Sequence, residues 1–245
     1  MVIAVCIEQE TPVAQMMTTF PNLRFGMLVG IGGGVPTKTD NGIIRLGDVV
    51  VSKPSGEHSG AVQYDHGKAE AGHFTRTGVL APPPRVLINA ALDLEARRER
   101  MREDPVTENI KRIDTNIPGL RKYRHPGLEF DHLYPPNYIH PDPKPSCDEC
   151  GCDAAQRIQR SFSDEDERDS HVVVHMGTIA LGELIIRNGE LRDRFAKEYG
   201  VLCFEMEAAG ALTDFPCIVI RGVSDYSDSH KNDCWHGYAA AAAAA

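Results

Sequence analysis

Short, continuous apolar runs separated by helical patterns constrain the fold of this chain most. The runs are rich in Val and Ile, do not alternate with polar residues, and lie at residues 25–31, 47–52, 201–204 and 217–223. Strands covered on both faces have this pattern, because helices cover both sides of a parallel sheet. An Ala- and Leu-rich stretch after Pro84 and the patterns at residues 182–188 and 207–214 are typical of helices. This order predicts an α/β domain with a mostly parallel sheet.

Further elements are predicted near the two ends of the chain. Strands are expected at residues 2–6 and 171–176, and a short helix is expected from Pro12 to residue 20, because proline suits a first helical turn. Residues 239–245 are all alanine, a strong helix former, and predict a closing helix.

The middle of the chain has a different composition, rich in proline and charged residues. Prolines stand at positions 135, 136, 141, 143 and 145, and charged residues fill positions 164–169. The pattern predicts a single domain over residues 1–245 with an irregular insertion at about residues 104–170. The charged run is typical of a solvated loop tip, and a functional acidic segment is the alternative.

The charge balance narrows the classes of partner. The 245 residues carry 26 Lys and Arg against 35 Asp and Glu, a formal net charge of −9, which argues against a nucleic-acid binder. There is no apolar run of the roughly 20 residues that a membrane helix needs. Seven cysteines, an odd number, are typical of reduced intracellular thiols. We therefore expect a soluble cytoplasmic protein without nucleic-acid or membrane partners.

A glycine run follows the strand predicted at residues 25–31. The sequence VGIGGGV occupies residues 29–35, and Gly32 and Gly33 would let a ligand approach the backbone or offer it N–H groups. It is not the dinucleotide fingerprint, because Val35 stands where that motif has its third glycine. A plain tight turn is the alternative.

Two acidic motifs follow later strands. In FEMEAAG (residues 204–210), Glu205 and Glu207 flank Met206. A carboxylate here could accept two hydrogen bonds from the hydroxyl groups of a sugar, and the methionine could form an apolar surface beneath the sugar or base. Strand ends of this kind bind ligands in doubly wound sheets. The alternative is an acidic first turn of a helix.

The second acidic motif is RGVSDYSD (residues 221–228). It brings Ser224 and Asp225 to the end of a strand, where a carboxylic acid could protonate a leaving group. Helix capping by Ser and Asp is the equally open alternative.

A cysteine cluster lies in the insertion. Cys147, Cys150 and Cys152, with His140 upstream, could supply a tetrahedral zinc site that clips the insertion together. Unligated surface thiols are the alternative, because no second pair of cysteines has the same spacing. His175 on its predicted strand, and the pair His230 and Lys231, are expected to be ordinary structural or surface residues.

Five motifs in this order resemble the nucleoside phosphorylase superfamily, which includes purine nucleoside phosphorylases, uridine phosphorylases and methylthioadenosine/adenosylhomocysteine nucleosidases. They are VGIGGGVP (29–36), IRLGDVVVS (44–52), GTIALGELII (177–186), FEMEAAG and RGVSDYSD. The residues of these motifs look most like those of the fungal branch, whose members are often fused to NACHT/NLR or ankyrin-repeat regions. The match spans about residues 20–238, apart from the insertion.

The resemblance implies a three-layer α/β/α fold with a mixed, largely parallel, partly barrel-like sheet, lacking its first strand. It also implies cleavage of a purine N-glycosidic bond, no required cofactor, a nucleoside or nucleotide as ligand, and a homo-oligomer. Glu207 matches the residue that grips the ribose and Asp225 the acid at purine N7. The matching substrate contacts are Met206 beneath the ribose, Ser224 beside the acid, Glu205, Ile185 and Ile186 in the base-pocket wall, and Gly32 and Gly33.

The chain departs from the phosphorolytic pattern. Leu28 and Ile31 stand where phosphorolytic members carry Arg and Ser, and residues 6–12 are acidic where a second phosphate loop is expected. Water is therefore the expected acceptor, with Glu8 or Glu10 as candidates to activate it. Phosphorolysis through backbone N–H groups and non-catalytic nucleoside binding within a larger signalling protein are the alternatives. For a nucleotide, the candidate phosphate contacts are Arg45, Lys53 and Lys68.

Overall fold

A computed structural model describes residues 19–142, 146–160 and 172–245 of the chain. The predicted strand at residues 2–6, the carboxylates Glu8 and Glu10, and the charged run at 164–169 lie outside these residues. The helix predicted to end at residue 20 lies almost wholly outside them.

Ten strands and five α-helices make up the described part of the chain. The strands are β1 (Gly26–Gly34), β2 (Lys38–Thr39), β3 (Gly42–Ile43), β4 (Val49–Ser52), β5 (Ala61–Gln63), β6 (Gly67–Glu70), β7 (His73–Arg76), β8 (Val174–Leu181), β9 (Val201–Glu205) and β10 (Cys217–Asp225). The helices are α1 (Arg85–Arg98), α2 (Pro105–Lys111), α3 (Gly189–Tyr199), α4 (Ala208–Asp214) and α5 (His236–Ala244). Three short 3-10 helices, Pro118–Tyr123, Leu128–Phe130 and Ala154–Gln156, lie in the insertion.

The central sheet is mixed and partly closed. Its six strands run in the order β4-β10-β1-β9-β8-β5, and an extra pairing of β4 with β8 closes five of them into a barrel-like ring. β1 is parallel to β10 and antiparallel to β9, while β8 is parallel to β4, β5 and β9. The predicted mixed, largely parallel and partly barrel-like sheet is confirmed. β2 with β3, and β6 with β7, form two separate small hairpins.

Helices cover the sheet through three apolar clusters. α4 contributes Ala208 and Leu212 to the central cluster, which contains Ile179 and Val219 of β8 and β10. α5 and α2 pack on a second cluster around Trp235. The partly buried side chains of α3 pack on a third cluster with Val62 and Phe204. No helix in the described ranges is long and apolar enough to cross a membrane.

The glycine run is part of a strand and does not form a loop. β1 continues through Gly34 and pairs with β10 over most of its length, so the predicted end of the strand at residue 31 and the alternative of a tight turn there are both wrong. Neighbouring side chains explain why glycine is needed there. A Cβ on Gly30 would collide with the Arg221 guanidinium, and a Cβ on Gly34 would lie 2.6 Å from Val223 Cγ1.

The predicted helix at residues 182–188 is also wrong. These residues lead away from β8, and α3 begins at Gly189 after the cap residue Asn188, whose Oδ1 accepts the Leu191 N–H at 3.0 Å. Asparagine is a preferred N-cap because its side chain satisfies a free amide of the first turn. The helix predicted after Pro84 is confirmed as α1.

Candidate active site

A buried ion pair fixes the start of α4. Glu205 ends β9 with a fully buried side chain, and its carboxylate pairs with Arg221 of β10. The same carboxylate accepts the backbone N–H groups of Glu207 at 3.1 Å and Ala208 at 3.0 Å. Glu205, which was expected to contact substrate, therefore has both oxygens engaged by the protein and supports the site from behind.

Burial dominates the electrostatics of this pair. Desolvation raises the pKa of Glu205 from 4.5 to about 7, although the Arg221 charge lowers it. Glu207 lies on the solvent side of the pair, with its Oε2 3.4 Å from Arg221 Nη2 and its side chain 44% exposed. Arg221 therefore contacts two carboxylates at the end of β9, the buried one of Glu205 and the half-exposed one of Glu207.

Asp225 ends β10 in a dense set of hydrogen-bond donors. Its Oδ1 accepts the Ser227 N–H at 2.9 Å, and its Oδ2 accepts Ser224 Oγ at 2.9 Å and lies 3.0 Å from Lys231 Nζ. Ser227 has φ 51° and is the one non-glycine residue with positive φ among those described. Such backbone strain persists only where surrounding contacts impose it. The loop after β10 is therefore built to hold this carboxylate.

β1 brings the two acidic motifs together. Gly33 pairs with Asp225 of β10 on one side and with Phe204 of β9 on the other. Strand spacing of about 4.8 Å and rise of about 3.3 Å put the Cα atoms of Asp225 and Glu207 on the order of 10–15 Å apart.

Gly33 carries the closest approach to the acid. A Cβ there would collide with Ser227 Oγ and lie 2.8 Å from Asp225 Oδ1, whereas a Cβ on Gly32 would lie 2.5 Å from Cys203 Sγ. The register of β1 and β10 shifts at this point, because Val223 pairs with Gly32 and Asp225 with Gly33, so Ser224 is an extra residue that brings Asp225 opposite Gly33.

The remaining predicted contacts divide between the core and the surface. Ile186 is buried in the cluster that contains Phe204, while Ile185 is exposed. Met206 follows Glu205 and is 41% exposed, so its thioether is available to a ligand. Ile186 is thus a core residue, whereas Met206 and Ile185 are open to solvent.

Several supporting residues were missed from the sequence. Arg192 of α3 is buried, and its Nη1 donates to the Tyr226 carbonyl at 2.8 Å. Tyr226 Oη donates to Asp131 at 2.6 Å and accepts from Arg160 at 2.5 Å. Burial raises the pKa of Tyr226. These contacts join residues far apart in sequence, so no local pattern marks them.

Lys231 and His230 also differ from the expectation of ordinary surface residues. Lys231 reaches Asp225, and its carbonyl accepts Arg187 Nη2 at 3.2 Å. His230 is buried and stacks on Tyr134 with ring centroids 4.1 Å apart. The insertion therefore packs directly against the loop that carries Asp225.

The predicted metal-ligating residues come together. Ligand atoms of His140, Cys147 and Cys152 lie within 4.8 Å of one another. Cys150 Sγ lies 3.2 Å from His140 Nε2 and 3.4 Å from Cys152 Sγ. The candidates for phosphate contacts are dispersed, with Lys68 exposed on β6 and Arg45 and Lys53 flanking β4.

Comparison with solved structures decides the fold. The chain matches the 5'-methylthioadenosine/S-adenosylhomocysteine nucleosidase of Neisseria meningitidis, solved in complex with methylthio-immucillin-A, with a TM-score of 0.50 and 15% identity. The match covers 96% of this chain and 70% of that protein. The chain has the fold of the nucleoside phosphorylases and nucleosidases. The resemblance inferred from the five motifs is confirmed.

Two curated relatives of this nucleosidase-fold chain are considerably longer than it is. A nucleotide-binding leucine-rich repeat (NLR)-like protein of the fungus Hyaloscypha variabilis is 40% identical over 232 residues, which is 94% of this chain and 22% of the relative. The ATP nucleosidase Cap17 of Escherichia coli is 40% identical over 79 residues, 30% of this chain and 16% of that protein. The matched regions thus cover no more than about a fifth of the length of either relative. No family model matches the chain.

Proposed function

We propose that this chain hydrolyses the N-glycosidic bond of a purine nucleoside or nucleotide. The observation that supports the proposal is the pairing of Gly33 with both acidic strands, because it brings the strand ends that carry Asp225 and Glu207 next to each other. The nucleosidase fold and the similarity to a protein named as an ATP nucleosidase support the same reaction.

Asp225 would act on the base. Cleavage leaves electron density on the purine, and a proton delivered to N7 makes the base a better leaving group. Such proton transfer typically contributes about 10²–10⁴-fold to the rate. Lys231 is 28% exposed and covers Asp225 Oδ2, so it would have to swing away before a purine could reach that oxygen. The Ser224 and Ser227 contacts would keep the carboxylate in place meanwhile.

Glu207 and Met206 would act on the sugar. The half-exposed Glu207 carboxylate can accept hydrogen bonds from the two ribose hydroxyl groups, while its contact with Arg221 limits its movement. The exposed Met206 thioether suits the apolar face of the pentose. Fixing the sugar in a reactive geometry lowers the barrier because less orientational freedom is lost at the transition state.

Water is the acceptor that the residues favour. Leu28 packs against the central apolar cluster, and Ile31 lies within β1, so the two positions expected to hold phosphate offer apolar side chains. The glycine run lies between β9 and β10, where its peptide groups face neighbouring strands. Of the nearby cations, Arg221 is already paired with Glu205 and Lys231 with Asp225. These contacts argue against phosphorolysis through the same strand.

The test is release of free base from adenosine, inosine and ATP, with and without inorganic phosphate, followed by chromatography. We expect base release without phosphate and free pentose or pentose phosphate as the second product. Release that strictly requires phosphate, with a pentose 1-phosphate product, would overturn the hydrolytic assignment. Binding of these compounds without any base release would favour the non-catalytic module instead.

A further inference from the structure

We infer that His140, Cys147, Cys150 and Cys152 form a structural zinc site that fastens the insertion to the loop carrying Asp225. The inference is independent of the proposed reaction. It rests on the positions of four ligand atoms and on the contacts that surround them.

Three of the four ligand atoms lie close together, and the fourth, Cys150 Sγ, lies beside two of them. With Zn–S about 2.3 Å and Zn–N about 2.0 Å, tetrahedral angles put neighbouring ligand atoms about 3.5–3.8 Å apart. Cys150 Sγ lies 3.2 Å from His140 Nε2 and 3.4 Å from Cys152 Sγ. The ligand atoms of His140, Cys147 and Cys152 lie within 4.8 Å of one another. Small movements of side chains would bring all four to one ion.

The backbone between the cysteines is already folded around this point. The Cys150 N–H donates to the Ser146 carbonyl at 3.0 Å, and the Cys152 N–H donates to the Cys147 carbonyl at 2.9 Å. These two bonds close a tight turn that directs three thiols inward. His140, Cys147 and Cys152 are no more than 9% exposed, so three of the four ligand side chains are shielded from water. Four protein ligands would leave no open coordination position, as in structural zinc sites.

Aromatic residues enclose the cluster and complete its surroundings. Tyr134, which is buried, packs with Cys147 and Cys152 in one apolar cluster, and Tyr138 is partly buried against it. Tyr138 Oη accepts the Asp153 N–H at 2.8 Å, one residue after the last cysteine. Packing of an apolar cluster does not require three thiols and an imidazole close together, whereas zinc coordination does.

The same residues hold the loop that follows β10. The His140 N–H donates to Ser229 Oγ at 2.9 Å, and the His140 ring lies edge-on to His230 at 5.2 Å. His230 also stacks on Tyr134 and Tyr138. A zinc ion bound by His140 would therefore restrict the segment from Ser229 to Lys231, and with it the lysine that covers Asp225.

Metal analysis of the purified full chain, prepared without a histidine tag, tests the site. We expect about one zinc per chain. After chelation, Co²⁺ should give thiolate charge-transfer bands in the near ultraviolet and strong tetrahedral bands in the red. Cys150→Ser and Cys152→Ser should each lose most of the zinc and weaken the cobalt spectrum. Cys234→Ser, which removes an exposed thiol elsewhere, should keep both.

Three results would overturn the inference. They are zinc far below one per chain together with no cobalt–thiolate bands, cysteine variants that bind metal like the wild type, or a disulfide between Cys150 and Cys152 in freshly purified protein. If a variant does not fold, the wild-type cobalt titration alone decides. Hydrogen exchange gives a second readout, because metal removal should speed exchange at Ser229, His230 and Lys231, and unchanged exchange there contradicts the fastening role.

Discussion

Replacing Arg221 by methionine should destabilise the protein strongly. Arg221 is 6% exposed at its side chain and its partner Glu205 is 0% exposed, so the change leaves a buried carboxylate without its counter-charge. Removing one partner of a buried pair typically costs about 3–5 kcal/mol, because the remaining carboxylate must either stay desolvated or take up a proton. Arg221 Nε has no hydrogen-bond partner among the described residues, so the loss falls on the charge pairing and on packing.

This cost converts into a shift that thermal unfolding can resolve. For a domain of about 150–250 residues, 1 kcal/mol corresponds to about 2–4 °C in Tm, so Arg221→Met should lower Tm by about 6–20 °C. Removing the stranded charge as well, in Arg221→Met/Glu205→Gln, should recover part of the loss. The coupling in this double-mutant cycle measures the pair directly.

A surface ion pair provides the matched control. Arg97 and Asp93 of α1 are 69% and 59% exposed at their side chains, with their charged atoms 2.7 Å apart. Exposed pairs contribute about 0–1 kcal/mol, so Arg97→Met should barely move Tm. If Arg221→Met lowers Tm no more than Arg97→Met, or if the double variant is as unstable as the sum of the single changes, the reasoning about the buried pair is refuted.

Two further predictions concern the same strands. Gly33→Ala should lower base release by about 10²-fold, the typical effect of a displacement near 1 Å, because the new methyl group displaces Asp225 and Ser227. Gly119→Ala, whose methyl group would meet no described atom within 4 Å, should keep normal activity; equal losses in both variants would contradict the assignment. The pKa of Glu205 is raised to about 7 from 4.5 in the folded chain, so its protonation stabilises the fold below about pH 4.5, and this contribution is lost as the pH rises through 7. The free energy of unfolding, measured from pH 5 to pH 8, should therefore fall in wild type relative to Glu205→Gln, and a constant difference would disprove the shift.

Much of the fold was predictable because local patterns encode it. Continuous apolar runs marked β4, β9 and β10, and Pro84 marked the start of α1. The end of β1 was not predictable, because glycine there serves long-range packing: the Arg221 side chain occupies the space beside Gly30. The direction of β9 relative to β1 is likewise set by the closure of the ring and has no local signature.

The site was predictable in its motifs and less so in its supports. Spacing alone placed Ser224 beside Asp225 and brought three cysteines to one turn. The two carboxylates that flank Met206 look equivalent in sequence, but Glu205 is the buried last residue of β9, whereas Glu207 lies beyond the strand at the start of α4 and is half exposed. Lys231 acquires its place near Asp225 only through the loop that the insertion supports, which no local pattern reveals.

The most direct test of the account compares two leaving groups in Asp225→Asn. A purine needs a proton to depart, whereas 4-nitrophenol leaves a ribofuranoside as a stable anion. If Asp225 is the acid that serves the base, adenosine cleavage should fall by about 10²–10⁴-fold while cleavage of 4-nitrophenyl riboside changes little. An equal loss for both compounds would contradict the account, because Asp225 would then support the fold or the sugar and not the departing purine.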